Sequence, residues 1–61
     1  MCLSAVYEIK DGNEELVCDY ATAICLDGGS IKVTDITGEE YVIAGVLKSI
    51  DLVKNVIVIS A

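Results

Sequence analysis

The sequence predicts a small all-β domain, and three observations indicate it. Apolar and polar residues alternate with the two-residue period of strands along most of the 61 residues. Turn signals built on glycine, aspartate and asparagine interrupt the alternation at short intervals. Proline is absent, and no stretch shows the period of a helix. We therefore expect one domain, residues 1–61, folded as a closed or nearly closed β-barrel of about five strands.

The first hairpin is predicted from two extended runs joined by a tight turn. Residues 3–10 alternate, and one face of that strand carries Leu3, Ala5, Tyr7 and Ile9. Asp11-Gly12-Asn13 supplies the turn. Residues 14–26 are extended again. We expect a break or bend at residues 19–22, because an uninterrupted strand of that length would outgrow so small a sheet.

A second turn and a short strand follow. Asp27-Gly28-Gly29 predicts a tight turn, since glycine tolerates the positive φ angles that hairpins need. Residues 31–34 then alternate cleanly, which places Ile31 and Val33 inward.

The last part of the chain predicts two more turns and two more strands. Residues 37–39 turn the chain, and residues 40–47 are rich in β-branched side chains. Gly45 is expected to kink or bulge that strand and so to let the sheet curl towards a barrel. Residues 53–55 form a turn, and residues 56–59 end the chain as a strand that is apolar on both faces.

The apolar content predicts a homodimer. A domain of 61 residues is marginally stable alone, and 54 % hydrophobic residues exceed what one small core should hold. The final strand would aggregate as a bare edge, so it is either central in the barrel or covered by a second subunit.

Charge and chain composition exclude several partners. The net charge is -6, with four lysines and no arginine, which repels phosphate backbones and acidic membrane surfaces. We therefore expect neither nucleic acid nor a membrane as a partner. No signal-peptide pattern or membrane-length apolar run is visible, so the expected location is cytoplasmic.

The sequence shows no recognisable set of catalytic residues, so we do not expect an enzyme. Without histidine, no nucleophile has an evident activating base. Neighbours on a strand point to opposite faces, so the two carboxylate pairs are expected to be solvated residues beside turns: Glu14-Glu15 and Glu39-Glu40. Packing at the edge of the core is expected for all three tyrosines, Tyr7, Tyr20 and Tyr41.

The three cysteines divide into two groups. Cys18 and Cys25 lie among aliphatic residues, where cysteine behaves as a small hydrophobe, so both are placed in the core. Cys2 directly follows Met1, so its thiolate, the terminal amine and the amide between them can meet one metal ion in small chelate rings. Nearly coplanar nitrogen and sulfur donors suit square-planar Ni(II) or Cu(II), whereas Zn(II) prefers a tetrahedron. Cys2 and Met1 are the candidate metal ligands.

Several segments together resemble the CooT family, which comprises very small nickel-binding proteins associated in some bacteria with maturation of nickel-containing carbon monoxide dehydrogenase. These segments are Met1-Cys2-Leu3, Val6-Tyr7, residues 27–34 followed by Glu39-Glu40, and Ile50-Asp51-Leu52 with Asn55, Ile57 and Ile59. The resemblance implies a homodimer of SH3-like barrels that binds Ni(II) through the cysteine after the start methionine. Only Cys2 carries over as a ligand, with the Met1 amine as candidate co-ligand.

The resulting hypothesis is a cytoplasmic, dimeric Ni(II)-binding protein. It would act as a metallochaperone or nickel store that holds the metal by the Cys2 thiolate near the dimer interface. A nickel enzyme or its maturation proteins would be further partners. One alternative is a non-enzymatic interaction module, such as a regulatory adaptor or an RNA-binding barrel, in which Cys2 is incidental. Another is a redox sensor, which would require an activated Cys2 thiol.

Overall fold

The computed structural model describes residues 3–61, all of whose regular elements are strands. The six strands are β1 (Ser4–Lys10), β2 (Asn13–Asp27), β3 (Ser30–Asp35), β4 (Glu40–Ala44), β5 (Val46–Asp51) and β6 (Val56–Ser60). The all-β prediction is confirmed, and one strand more is found because residues 40–47 divide at Gly45. Within the described range, no helix has the length and hydropathy needed to cross a membrane.

The strands form a single sheet in the order β4-β3-β2-β1-β6-β5. All neighbours are antiparallel except β1 and β6, which run parallel. The apolar strand β6 therefore lies inside the sheet, which is one of the two positions predicted for it. Between residues 3 and 61, the backbone pairing ends at β4 and β5 and does not close into a ring.

Strand β2 is the long bent element of the fold. It is 15 residues long, pairing first with β1 and then with β3. Ala21 pairs with both Ser4 and Asp35, and the register shifts on either side of it. Such irregularities bend a strand and increase its twist. The bend predicted at residues 19–22 is thus confirmed, although the strand is not interrupted.

The predicted turns are present, and each of the four contains at least one residue with positive φ. In the β1–β2 turn, Asp11 has φ 53° and Gly12 has φ 78°. Positive φ at both central residues defines the type I′ turn, whose twist matches that of the two flanking strands. Gly28, in the β2–β3 turn, has φ 61°.

Gly45 joins the two edge strands at a point of close backbone approach. Its amide donates a hydrogen bond to the carbonyl oxygen of Gly29 at 3.1 Å. A Cβ atom at this position would collide with the carbonyl oxygen of Ser60 and lie 3.0 Å from the Cα of Ala61. The predicted kink is confirmed, and only glycine leaves room for β6 at this corner.

One face of the sheet forms the core. Its buried residues are Val6, Cys18, Ala21, Ile31, Val33, Ile43, Ile57 and Ile59. On β1 the core residue is Val6, which is 0 % exposed. The alternate residues of that strand, those with odd numbers, lie on the other face and are half-buried. Ile31 and Val33 point inward as predicted.

Cys25 corrects one prediction. Cys18 is buried as expected, but Cys25 is exposed. Cys25 pairs with Lys32, which in turn pairs with Val42, so these three side chains share the outer face of the sheet. The aliphatic neighbours of Cys25 in sequence belong to the opposite face, because side chains alternate along a strand.

Candidate metal centre

The two predicted ligands, Met1 and Cys2, lie outside the described residues. The structure does fix the point at which they join the fold. Leu3 is half-buried, and Ser4 begins β1 by pairing with Ala21 of β2. On the other side, Ala5 pairs with Val56 and its amide donates to the carbonyl oxygen of Asn55 at 2.9 Å. The start of β1 is therefore held between two neighbouring strands.

Two carboxylates lie at the same end of the sheet as the start of β1. Asp35 of β3 pairs with Ala21, and Asp51 of β5 pairs with Val56. Each aspartate is thus two strands from β1, about 10 Å away at the usual strand spacing. The sequence alone did not predict that Asp35 and Asp51 lie at this end of the sheet, because their placement depends on the strand order.

The Asp35 carboxylate organises the turn between β3 and β4. Its Oδ1 accepts hydrogen bonds from the Thr37 amide at 2.9 Å, the Thr37 hydroxyl at 2.6 Å and the Glu39 amide at 3.0 Å. Its Oδ2 accepts a hydrogen bond from the Tyr41 hydroxyl at 2.9 Å. The aspartate therefore joins the turn to the first residues of β4.

These hydrogen bonds shift the pKa values of both partners. The Thr37 hydroxyl makes the largest contribution to lowering the pKa of Asp35 below its usual 3.8, and it is opposed by partial desolvation. The same hydrogen bond from Tyr41 to Asp35 is the main reason that the pKa of Tyr41 rises to about 12. At neutral pH Asp35 is thus an ionised acceptor and Tyr41 a protonated donor.

Asp51 performs a similar structural role in the turn between β5 and β6. Its Oδ1 accepts hydrogen bonds from the amides of Val53 and Lys54, each at 3.0 Å. The turn presents Leu52 and Val53 to solvent, with Val53 93 % exposed. We call Leu52 and Val53 the apolar tip. Its backbone is fixed by the Asp51 side chain.

The remaining cysteines are not assembled into a metal site. Cys18 is buried in the core. Cys25 lies on the outer face, four residues along β2 from Ala21, which is roughly 13 Å at the rise of a strand. Over residues 3–61, no group of three cysteine, aspartate or glutamate side chains is placed to hold a metal ion.

A groove of about 270 Å³ lies between the bend of β2 and the β3–β4 turn. It is lined by residues 16–20 together with Asp35, Ile36, Thr37 and Tyr41. Tyr20, on its wall, is 58 % exposed, so the prediction that it packs at the edge of the core is wrong. Tyr41 does pack against the core.

The Asp35 network was missed in the sequence, although a signal for it exists. Aspartate at the first position of a β-turn and glycine at the fourth are typical of a type I turn, and residues 35–38 have this pattern. The Gly38 amide indeed donates to the carbonyl oxygen of Asp35 at 3.0 Å. Nothing local in the sequence, however, indicates the partner Tyr41.

Comparison with known proteins identifies the family. The sequence model described as CO dehydrogenase accessory protein CooT matches residues 1–60. The chain belongs to the CooT family. This confirms the resemblance seen in the sequence, and the matched range includes both Met1 and Cys2. No curated protein matches the chain.

A solved structure confirms that the CooT fold is the one described above. The chain resembles the crystal structure of a candidate CooT from Carboxydothermus hydrogenoformans, with a TM-score of 0.84 and 20 % sequence identity. The match covers 97 % of this chain and 95 % of the other. At this identity the similarity concerns the fold.

Proposed function

We propose that this CooT-family protein is a non-enzymatic Ni(II)-binding accessory protein, a metallochaperone or nickel store that supports maturation of a nickel enzyme such as CO dehydrogenase. One observation supports this most strongly. The model of a family of CO dehydrogenase accessory proteins matches residues 1–60, and a cysteine directly follows Met1 within that match.

The proposed ligands are the thiolate of Cys2 and the amine of Met1. A thiolate and a nitrogen donor from one dipeptide chelate an ion without any folding cost, and both donor types suit Ni(II). The fold supports this assignment in two ways. The start of β1 is fixed by Ala21 on one side and Asn55 on the other, and the Cys18 side chain is buried in the core.

A site at a chain terminus suits transfer of the ion. One terminus supplies only a few donors, so coordination positions remain for ligands of a receiving protein. Nickel is then cargo that passes from the Cys2 thiolate to the recipient. The net charge of -6 favours the approach of a divalent cation.

We also propose that the protein is a cytoplasmic homodimer of SH3-like barrels. The support is the amount of apolar surface left outside the core. The large hydrophobic side chains that are about half or more exposed are Leu16, Tyr20, Leu26, Ile36, Val42, Val46, Ile50, Leu52 and Val53. Among residues 3–61, the core contains eight buried residues. A second copy would remove part of this surface from water.

The metal proposal is tested by titrating Ni(II) into wild type, Cys2→Ser and Cys25→Ser, followed by calorimetry and thiolate-to-metal absorbance. Cys25 is the matched control, because its thiol is exposed in the fold. We expect Cys2→Ser to lose the absorbance band and at least about tenfold in affinity, and Cys25→Ser to bind like wild type. Affinity should rise with pH, since the ligands must lose protons.

Equal binding by wild type and Cys2→Ser would show that the proposal is wrong. Acetylation of the terminal amine tests the nitrogen ligand separately. A loss of affinity supports the Met1 amine as co-ligand, whereas unchanged affinity leaves the Cys2 sulfur as the terminal ligand.

A further inference from the structure

The groove between the bend of β2 and the β3–β4 turn combines exposed apolar side chains with carboxylates. Three of the large hydrophobic residues that line it are about half or more exposed: Leu16, Tyr20 and Ile36. Asp19 and Asp35 contribute the carboxylates, and none of the described residues that line the groove is a lysine. This surface therefore offers contact area to an apolar chain and negative charge to a cation.

Hydrogen bonds within the chain hold the walls of the groove in place. Asp35 fixes the β3–β4 turn through Thr37 and also accepts from the hydroxyl of Tyr41, whose ring packs against the core. At the bend of β2, the Thr22 hydroxyl donates to the carbonyl oxygen of Thr34 at 3.2 Å and so ties β2 to β3. A groove that is formed in advance binds a partner without the cost of ordering its walls.

The size of the groove suits a side chain of a protein segment better than a whole small molecule. Its volume is about 270 Å³. Pockets that enclose drug-sized ligands occupy about 300–1,000 Å³. An extended segment needs room for only one long side chain, because its neighbouring residues can lie on the exposed apolar wall beside Tyr20 and Ile36.

The charge of the groove determines which side chain fits. An apolar or acidic side chain would remove Asp19 and Asp35 from water without supplying a partner, which is costly. A cation supplies that partner. Arginine fits better than lysine, because its planar guanidinium can donate to a carboxylate while it stacks on an exposed aromatic ring such as Tyr20. This chain contains no arginine, so the segment belongs to another protein.

We propose that this groove binds an arginine side chain, flanked by apolar residues, from a segment of a partner protein. The guanidinium pairs with Asp19 and Asp35 and stacks on Tyr20. The flanking apolar residues cover Leu16 and Ile36. Tyrosine and arginine are the residue types that most often dominate the binding energy of protein interfaces.

The first test titrates metal-free protein with a blocked pentapeptide, Ala-Leu-Arg-Leu-Ala, and follows the backbone amide NMR signals. We expect saturable shifts centred on residues 16–20 and 35–41. The same peptide with neutral citrulline in place of arginine should bind at least about fivefold more weakly, because the ion pair is lost. Equal binding of the two peptides, no binding of either, or shifts centred on another surface would each overturn the proposal.

The second test compares two carboxylates of β2 that differ in their distance from the groove. Asp19→Asn removes a charge from the groove wall. Glu14→Gln is the matched control, because Glu14 is also exposed but lies five residues away, roughly 17 Å along the strand. We expect Asp19→Asn to weaken binding of the arginine peptide at least about fivefold and Glu14→Gln to stay within about twofold of wild type. Equal losses would show that the peptide responds only to the overall acidity of the protein, and the proposal would be wrong.

Dilution separates this inference from the homodimer and from the nickel proposal. Without peptide, the amide signals of the groove should not change with protein concentration. A concentration-dependent shift centred on the groove would show that a second copy occupies it, and the inference would then be wrong. Because the peptide is titrated into metal-free protein, its failure to bind leaves the result of the nickel titration unchanged, and a failed nickel titration leaves the peptide result unchanged.

Discussion

At the scale of single residues, Asp35 accepts four hydrogen bonds through its side chain and so fixes the turn between β3 and β4. One carboxylate accepts hydrogen bonds from Thr37, Glu39 and Tyr41, and it does so with both oxygens. Asp35 must be ionised to accept these hydrogen bonds, and Tyr41 must be protonated to donate one. The turn is therefore sensitive both to strong acid, which protonates Asp35, and to strong base, which deprotonates Tyr41.

We expect Tyr41 to stabilise the fold in a pH-dependent way. Its pKa of about 12 in the folded protein exceeds the ordinary tyrosine value of 10.0, so its contribution is complete below pH 10 and is lost as pH rises through 12. Urea denaturation of wild type and Tyr41→Phe should show a stability difference that is constant near neutral pH and decreases above pH 10. Asp35 behaves in the opposite sense, losing its contribution as pH falls below 3.8.

A direct readout uses a Tyr7→Phe/Tyr20→Phe protein, in which Tyr41 is the remaining tyrosine. Its phenolate absorbance should appear at a pH of about 12. Titration at the ordinary value near 10.0 would mean that the hydrogen bond to Asp35 does not form in solution.

The two cysteines Cys18 and Cys25 show what local sequence cannot resolve at this scale. Both have aliphatic neighbours in sequence, yet they lie on opposite faces of the sheet. Which face is buried depends on the register shifts along β2, and these shifts arise from pairing with two different strands.

At the scale of elements, Gly45 determines how the two edge strands meet. We expect Gly45→Ala to destabilise the protein by roughly 1–3 kcal/mol, because its Cβ would collide with the Ser60 carbonyl and the backbone would have to move. Gly29→Ala is the matched control, since its φ is not positive and no atom lies within 4 Å of the added Cβ. Thermal unfolding of both variants measures the difference. Equal melting temperatures would mean that the corner is not tightly packed.

The turns were predictable from the sequence, whereas strand pairing was not. Asp11-Gly12 carries its own conformational preference, which is why it identifies the first hairpin. The pairing of β1 with β6 joins residues about 50 positions apart, such as Val6 with Ile57, and no local pattern encodes it. The same limit applies to the candidate site. Cys2 is recognisable from its place after Met1, but the position of Asp35 and Asp51 at the end of the sheet where β1 begins depends on the strand order.

At the scale of the whole molecule, the small core leaves little reserve of stability. A chain of 61 residues is expected to be stable by only about 3–9 kcal/mol. Ile59 is 0 % exposed, so Ile59→Ala should cost roughly 2–5 kcal/mol, which is a large share of that stability. Val53→Ala, at a side chain that is 93 % exposed, should change the stability of the monomer by less than about 0.5 kcal/mol. Chemical denaturation at low protein concentration measures the stability of the two variants. A similar loss of stability in both would contradict the assignment of Ile59 to the core.

The parallel pairing of β1 with β6 also has a consequence during synthesis. Since β6 follows the other five described strands along the chain, β1 acquires its second neighbour only after those strands have been synthesised. A truncated chain that ends before Asn55 lacks both the carbonyl group that accepts the Ala5 amide and the strand that pairs with β1 on that side. Chains that lack β6 would leave one side of β1 unpaired, so we expect them to be poorly stable and open to proteolysis.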